Sequence, residues 1–76
     1  MKSVFSYNGA RYSLRQYSQP LAFDVADRAT GESATLTGDH AAIFAERLYG
    51  LAARFPGMSL EALTHRAIEG APMRAS

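Results

Sequence analysis

The chain has 76 residues and a formal net charge of +1, with 47% hydrophobic residues, 20% charged residues and no cysteine. This length supports one domain with a small core, spanning residues 1–76, and the composition is too apolar for a disordered chain. The lack of cysteine excludes disulfides and thiolate metal sites. The nearly balanced charge excludes strong binding to nucleic acid through overall charge, so such binding would need a local basic patch.

The N-terminal sequence MKSVFSYNGARYS has no continuous apolar segment of the kind found in secretory leaders. No later run approaches the roughly 18 apolar residues that a membrane-spanning helix needs. Together with the missing cysteines, this favours a cytoplasmic protein that does not enter the membrane.

An Asn8-Gly9 pair lies between two stretches of alternating apolar and polar residues, which is typical of a β-hairpin. If both residues form a type I′ turn, strands at about 2–7 and 10–17 pair so that opposite residue numbers sum to seventeen. Four apolar side chains then share the buried face: Phe5, Tyr7, Tyr12 and Leu14. The other face carries a basic group with one aromatic ring: Lys2, Arg11, Arg15 and Tyr17.

Two more segments alternate in the same way and predict strands at about 21–26 and 33–37. After Thr37 the apolar spacing changes from two to about 3.6 residues, which predicts helices at about 40–55 and 60–69. The tail at 70–76 has no regular pattern, and we expect it to be frayed. The expected fold is therefore α+β, an antiparallel sheet of three to four strands with two helices packed on one face.

Residues suited to catalysis or metal binding are few. The sequence has no nucleophile elbow, phosphate-binding loop or HExxH pattern. His40 follows Asp39, but adjacent helical residues do not face each other. His65 has Glu61 and Glu69 one turn away on either side, which favours an exposed row of ion pairs over a metal site. We therefore expect no enzymatic activity, no metal and no cofactor.

Two surfaces remain for binding a partner. The first is the outer sheet face with Lys2, Arg11, Arg15 and Tyr17. The second is the side of the first helix that an amphipathic packing leaves exposed, with Ile43, Arg47 and Tyr49. Branched and aromatic side chains often anchor protein interfaces, and arginine is enriched there as well.

The segment VADRATGES at residues 25–33, followed by Asp39 and by YGL at residues 49–51, resembles small phage-borne anti-CRISPR inhibitors of the type I-F surveillance complex. The likeness covers about a third of the chain. It implies a protein that works in the host cytoplasm by occupying the surface of a larger complex. The chain departs from that family in its Asn8-Gly9 turn and in a helix that continues past Gly50, so no individual binding residue is transferred.

The leading hypothesis is a non-enzymatic protein-interaction module, a phage inhibitor of anti-CRISPR type if the resemblance holds, whose partner is a larger protein or a ribonucleoprotein complex. The alternative is a small single-stranded nucleic-acid-binding module that uses the basic outer sheet face, since cations bind phosphates and aromatic rings stack on bases. Homodimerisation through the open sheet is compatible with both hypotheses.

Overall fold

A computed structural model describes residues 3–75 of the chain, with side chains as far as Arg74, and has a five-stranded sheet and two helices in that stretch. In chain order the elements are β1 (Ser3–Asn8), β2 (Tyr12–Tyr17), β3 (Ala22–Asp27), β4 (Glu32–Thr37), α1 (Gly38–Arg54), α2 (Leu60–Ala67) and β5 (Arg74–Ala75). The α+β fold predicted from the sequence is confirmed. Neither helix is long and apolar enough to cross a membrane within the described residues.

The sheet is antiparallel and has the strand order β1-β2-β3-β4-β5. Strands β1 to β4 form a meander, and β5 joins the edge at β4 after both helices. Strand residues alternate between two faces. The inner face, which both helices cover, supplies the core together with the helices. The buried residues of this core, from the sheet and from both helices, are Leu14, Phe23, Val25, Leu36, Ala41, Phe44, Leu48, Leu63 and Ala67. The outer face, on the opposite side, is covered by neither helix.

The core is centred on an aromatic pair between β3 and α1. The rings of Phe23 and Phe44 meet edge to face, with centroids 4.8 Å apart, and both side chains are almost completely buried. Helix α2 begins after Ser59, whose hydroxyl accepts a hydrogen bond from the Ala62 amide at 3.2 Å. Ser59 is therefore the N-cap of α2.

The predicted register of the first hairpin is wrong. Asn8 pairs with Ser13 and Tyr7 with Leu14, so opposite numbers sum to twenty-one and the turn is centred on residues 10 and 11. Because the register differs by an even number of residues, Tyr7 and Leu14 still lie on the inner face. Arg11, however, moves from the outer strand surface to the tip of the turn.

The reason is a contact from the far end of the chain. The Glu61 carboxylate, on α2, accepts hydrogen bonds from the backbone amides of Arg11 and Tyr12 at 2.9 and 2.7 Å. These amides therefore have a strong acceptor outside the hairpin, and the Asn8-Gly9 pair does not have to form the turn. A local turn preference is overridden by a tertiary hydrogen bond.

The prediction of a frayed tail at 70–76 also differs from the structure. Ala71 and Met73 pack against the core, and Arg74–Ala75 pairs with Ser33 and Glu32 of β4 as a short fifth strand. The side chains of residues 71–74 thus alternate between the core and the outside, as in a strand.

Candidate binding face

The outer sheet face forms an open depression of about 900 Å³. Its floor is low because one row across the sheet consists of the small residues Ser13, Ala26 and Ser33, paired directly on neighbouring strands. The polar and charged residues lining it are Ser6, Asn8, Ser13, Arg15, Asp24, Arg28, Ser33, Thr35 and Arg74. Pro72 and Arg74, from the tail, lie at one side of the depression.

Positive charge is concentrated on this face. Among the described residues, three arginines and one aspartate line the depression, a formal surplus of 3 − 1 = +2. The whole chain carries only +1, so all remaining residues together carry 1 − 2 = −1. A nearly neutral protein therefore presents one distinctly basic surface.

Asp24 lies directly opposite Arg15 in the β2–β3 register, but the two side chains form no ion pair. The Asp24 carboxylate instead accepts hydrogen bonds from the Tyr17 hydroxyl at 3.0 Å and from the Thr35 hydroxyl at 2.9 Å. Arg15 is exposed, and no carboxylate of the described residues lies within 4.0 Å of its guanidinium group. Arg15 is therefore available to an external anion.

Arg28 lies at the rim and is fixed by neutral acceptors. Its guanidinium group donates to the Asn8 side-chain oxygen and to the Gly9 carbonyl. These acceptors orient the side chain, and the positive charge of Arg28 is also one of the smaller causes of the lowered pKa of Glu61. Arg28 thus holds the first hairpin to the β3–β4 turn and adds a positive charge to the edge of the depression.

Arg74 is a residue of this face that the sequence interpretation missed. It reaches the outer face only because the tail pairs with β4, opposite Ser33. The signal was the alternation of apolar Ala71 and Met73 with Pro72 and Arg74, which is strand-like but too short to stand out.

The structure places the predicted outer-face residues in different surroundings. Arg15 and Tyr17 lie on the outer face, as predicted, whereas Lys2 lies outside the described residues. Arg11 does not belong to the outer face. Its Nε and Nη2 atoms donate to the two carboxylate oxygens of Asp27, both at 3.0 Å.

The Arg11–Asp27 pair is structural. Asp27 is 4% exposed and also accepts a hydrogen bond from the Ala29 amide at 2.9 Å. The hydrogen bond from Arg11 is the main reason that the pKa of Asp27 is lowered from 3.8 to about 2, and the same bond raises the pKa of Arg11. A bidentate pair of this kind leaves Arg11 little capacity to bind a second carboxylate.

Two side chains of α2, Glu61 and His65, contact the tip of the first hairpin. Glu61 binds the amides of Arg11 and Tyr12, and the Tyr12 amide bond is the largest cause of its lowered pKa. The Tyr12 hydroxyl lies 2.6 Å from His65 Nδ1, and burial raises the pKa of Tyr12. The prediction of an exposed row of ion pairs formed by Glu61, His65 and Glu69 is therefore wrong, since Glu61 and His65 bind the hairpin.

Among the described residues, no group of three or more His, Asp or Glu side chains is placed to hold a metal ion.

The predicted helix residues occupy two separate places. Ile43, which is 50% exposed, and Arg47 line a second depression of about 760 Å³ between α1 and α2. Arg47 also donates to the backbone carbonyl of Glu69. Tyr49 is 53% exposed, and its hydroxyl donates to the side chain of Gln16 on β2. The six predicted partner-binding residues that the structure describes therefore do not form one continuous site.

Comparison of the chain with family models, with curated proteins and with solved structures gives no match.

Proposed function

We propose that this protein is a non-enzymatic binding module whose outer sheet face takes an acidic segment of a larger protein. The observation that carries the proposal is the depression lined by Arg15, Arg28 and Arg74, in which the one carboxylate side chain of the described lining, Asp24, accepts hydrogen bonds from hydroxyl groups. Arginine binds carboxylates with two parallel hydrogen bonds, and the small residues of the floor leave room for an extended chain.

Inhibition by occupying a surface is consistent with this site. The resemblance of residues 25–33 and 49–51 to anti-CRISPR inhibitors supports a phage protein that covers an acidic surface of a host protein or ribonucleoprotein complex in the host cytoplasm. Such a role needs affinity and shape but no catalytic group.

The alternative ligand is a single-stranded nucleic acid, whose phosphates the same arginines would bind. Sequence-tolerant binding of single strands also uses aromatic rings on which bases stack. The one aromatic side chain on the outer face of the described strands is Tyr17, which is half-buried and donates its hydroxyl to Asp24. This arrangement favours a protein segment over a nucleic acid.

The test uses two fluorescent probes, a peptide rich in Glu and Asp and an oligothymidylate of similar length. We expect the peptide to bind more tightly, and the double variant Arg15→Glu/Arg74→Glu to weaken peptide binding at least tenfold. The matched control is Arg54→Glu/Arg66→Glu, which makes the same change of charge in the depression between the helices. We expect the control to retain most of the affinity.

Equal losses in the two double variants would show that only overall charge matters, and would contradict the proposal. Tighter binding of the oligothymidylate would replace it with the nucleic-acid alternative. In that case the logarithm of the affinity should fall with the logarithm of the salt concentration, with a slope of about −0.7 for each phosphate contacted.

A further inference from the structure

The two edges of the sheet differ in how well they are protected. The edge at β4 is partly covered by β5, and charged Glu32 and Arg74 lie there. The edge at β1 has no neighbouring strand among the described residues. Strand β1 (Ser3–Asn8) contains no charged residue, and Val4 and Phe5 are 55% and 42% exposed. Natural proteins usually protect such an edge with charges or proline, because it can pair with another strand.

The hydrogen-bonding phase of β1 follows from the turn. The Gly9 amide donates to the Tyr12 carbonyl at 2.9 Å, so residues 9 and 12 face each other as a hydrogen-bonded pair. Such pairs alternate along an antiparallel ladder, which directs the amide and carbonyl of Tyr7 and of Phe5 toward β2. The amide and carbonyl of Ser6 and of Asn8 therefore point away from the sheet. A bulge between Ser3 and Phe5 limits the regular part of this edge to residues 5–8.

We propose that β1 pairs in antiparallel fashion with β1 of a second copy of this chain, about a two-fold axis at Ser6. In this register Ser6 faces Ser6 of the second copy, and Phe5 faces its Tyr7. An axis perpendicular to the sheet keeps the inner faces of both copies on the same side, so that aromatic side chains meet aromatic side chains.

The partner strand is that of a second copy, because the described part of this edge has no charge that would repel an identical edge. The described strand has no charged side chain, so no like charges meet across the axis. Two cations of the outer face lie near this edge among the described residues: Arg15, one strand further in and opposite Ser6, and Arg28, whose guanidinium group contacts the Asn8 side chain. The two Asn8 residues lie on opposite sides of the axis, about four residue rises or roughly 13 Å apart along the strands, which keeps the two Arg28 groups apart. The two Arg15 residues would be three strand spacings apart, roughly 14 Å, which exceeds the screening length of about 8 Å at physiological salt.

Only four regular residues of each copy take part, so the contact is smaller than a standard interface and a weak dimer is expected. Light scattering of the full chain, from low micromolar to millimolar concentration, should show a mass that rises from one chain toward two. Ser6→Lys places two positive charges next to each other at the axis and should keep the mass at one chain. The matched control Ser13→Lys adds the same charge to the same face, one strand further in, and should dimerise like the wild type.

Far-ultraviolet circular dichroism and thermal unfolding establish that both variants fold. A wild-type mass of one chain at every concentration would overturn the proposal. Equal behaviour of folded Ser6→Lys and Ser13→Lys would also overturn it, because the edge would then not be the contact. A mass that grows beyond two chains would exclude the closed two-fold pairing. None of these outcomes depends on whether the outer face binds an acidic segment.

Discussion

The inner and outer faces of the sheet are built from the same strands but use their charged residues differently. Near the inner face, Arg11 is paired with Asp27, and Glu61 binds backbone amides of the hairpin tip. On the outer face, Arg15 has no carboxylate of the described chain within ion-pair distance. Two arginines four residues apart therefore have opposite roles, one fixing the fold and one available for binding, and the hairpin register decides which is which.

The two faces should differ most in how much stability the protein loses when a side chain is truncated, and the largest loss should come from the core on the inner face. Phe23→Ala removes a completely buried ring from its edge-to-face contact with Phe44, and we expect a loss of about 3–5 kcal/mol in the free energy of unfolding. A domain of this size has a total stability of only about 4–11 kcal/mol, so the variant will be close to unfolding. Phe23→Leu leaves a smaller cavity and should remain measurable by urea denaturation.

The outer-face control for this prediction is Ser33→Ala, in the small-residue row, which should change stability by no more than about 0.5 kcal/mol. If Ser33→Ala and Phe23→Leu were equally destabilising, the outer face would be as tightly packed as the core. The distinction between a packed face and an available one would then be wrong.

The next largest effect should come from the contact between α2 and the hairpin tip. Glu61→Gln keeps the size of the side chain but replaces charge-assisted bonds to the amides of Arg11 and Tyr12 with neutral ones. We expect Tm to fall by several degrees. Glu46→Gln, on the exposed side of α1, is the matched control and should leave Tm nearly unchanged. A Tm equal to that of the wild type for Glu61→Gln would show that the charge of Glu61 does not stabilise the observed register.

Acid should destabilise the fold by protonating the two carboxylates that bind the hairpin tip, Asp27 and Glu61. The pKa of Asp27 is about 2 in the folded protein against an ordinary value of 3.8, so its charged form stabilises the fold above the higher value. As the pH falls from about 4 to about 2, the unfolded state binds the proton first and stability declines. Glu61, whose pKa is also lowered from its ordinary value of 4.5, acts in the same direction.

Urea denaturation midpoints across this pH range measure the effect. Asp27→Asn has no proton to bind at this position and should show a shallower decline, with the contribution of Glu61 remaining. A decline as steep as that of the wild type would indicate that other carboxylates are responsible.

The sequence predicted the four main strands and both helices to within two residues, because periods of two and of 3.6 residues are local properties. It could not predict the register of the hairpin, which depends on a carboxylate fifty residues away in the chain. For the same reason it placed Arg11 on the outer face and left out Arg74, whose position depends on the pairing of the tail with β4. Arg15 and Tyr17 were placed correctly because an even register shift preserves the face of every strand residue.

The smallest predicted effect tests Gly50, which lies in the interior of α1, whereas Gly38 is its first residue. A Cβ atom built at Gly50 meets no neighbouring atom within 4 Å, so no close approach of another element requires glycine there. Gly50→Ala should therefore raise the free energy of unfolding by about 0.5–1 kcal/mol, because alanine has less backbone freedom to lose on folding. Gly70→Ala is the control, because Gly70 has a φ of +80° and a side chain there should lower the free energy of unfolding. If Gly50→Ala instead lowered stability, the depression between the helices would be narrower than its geometry indicates.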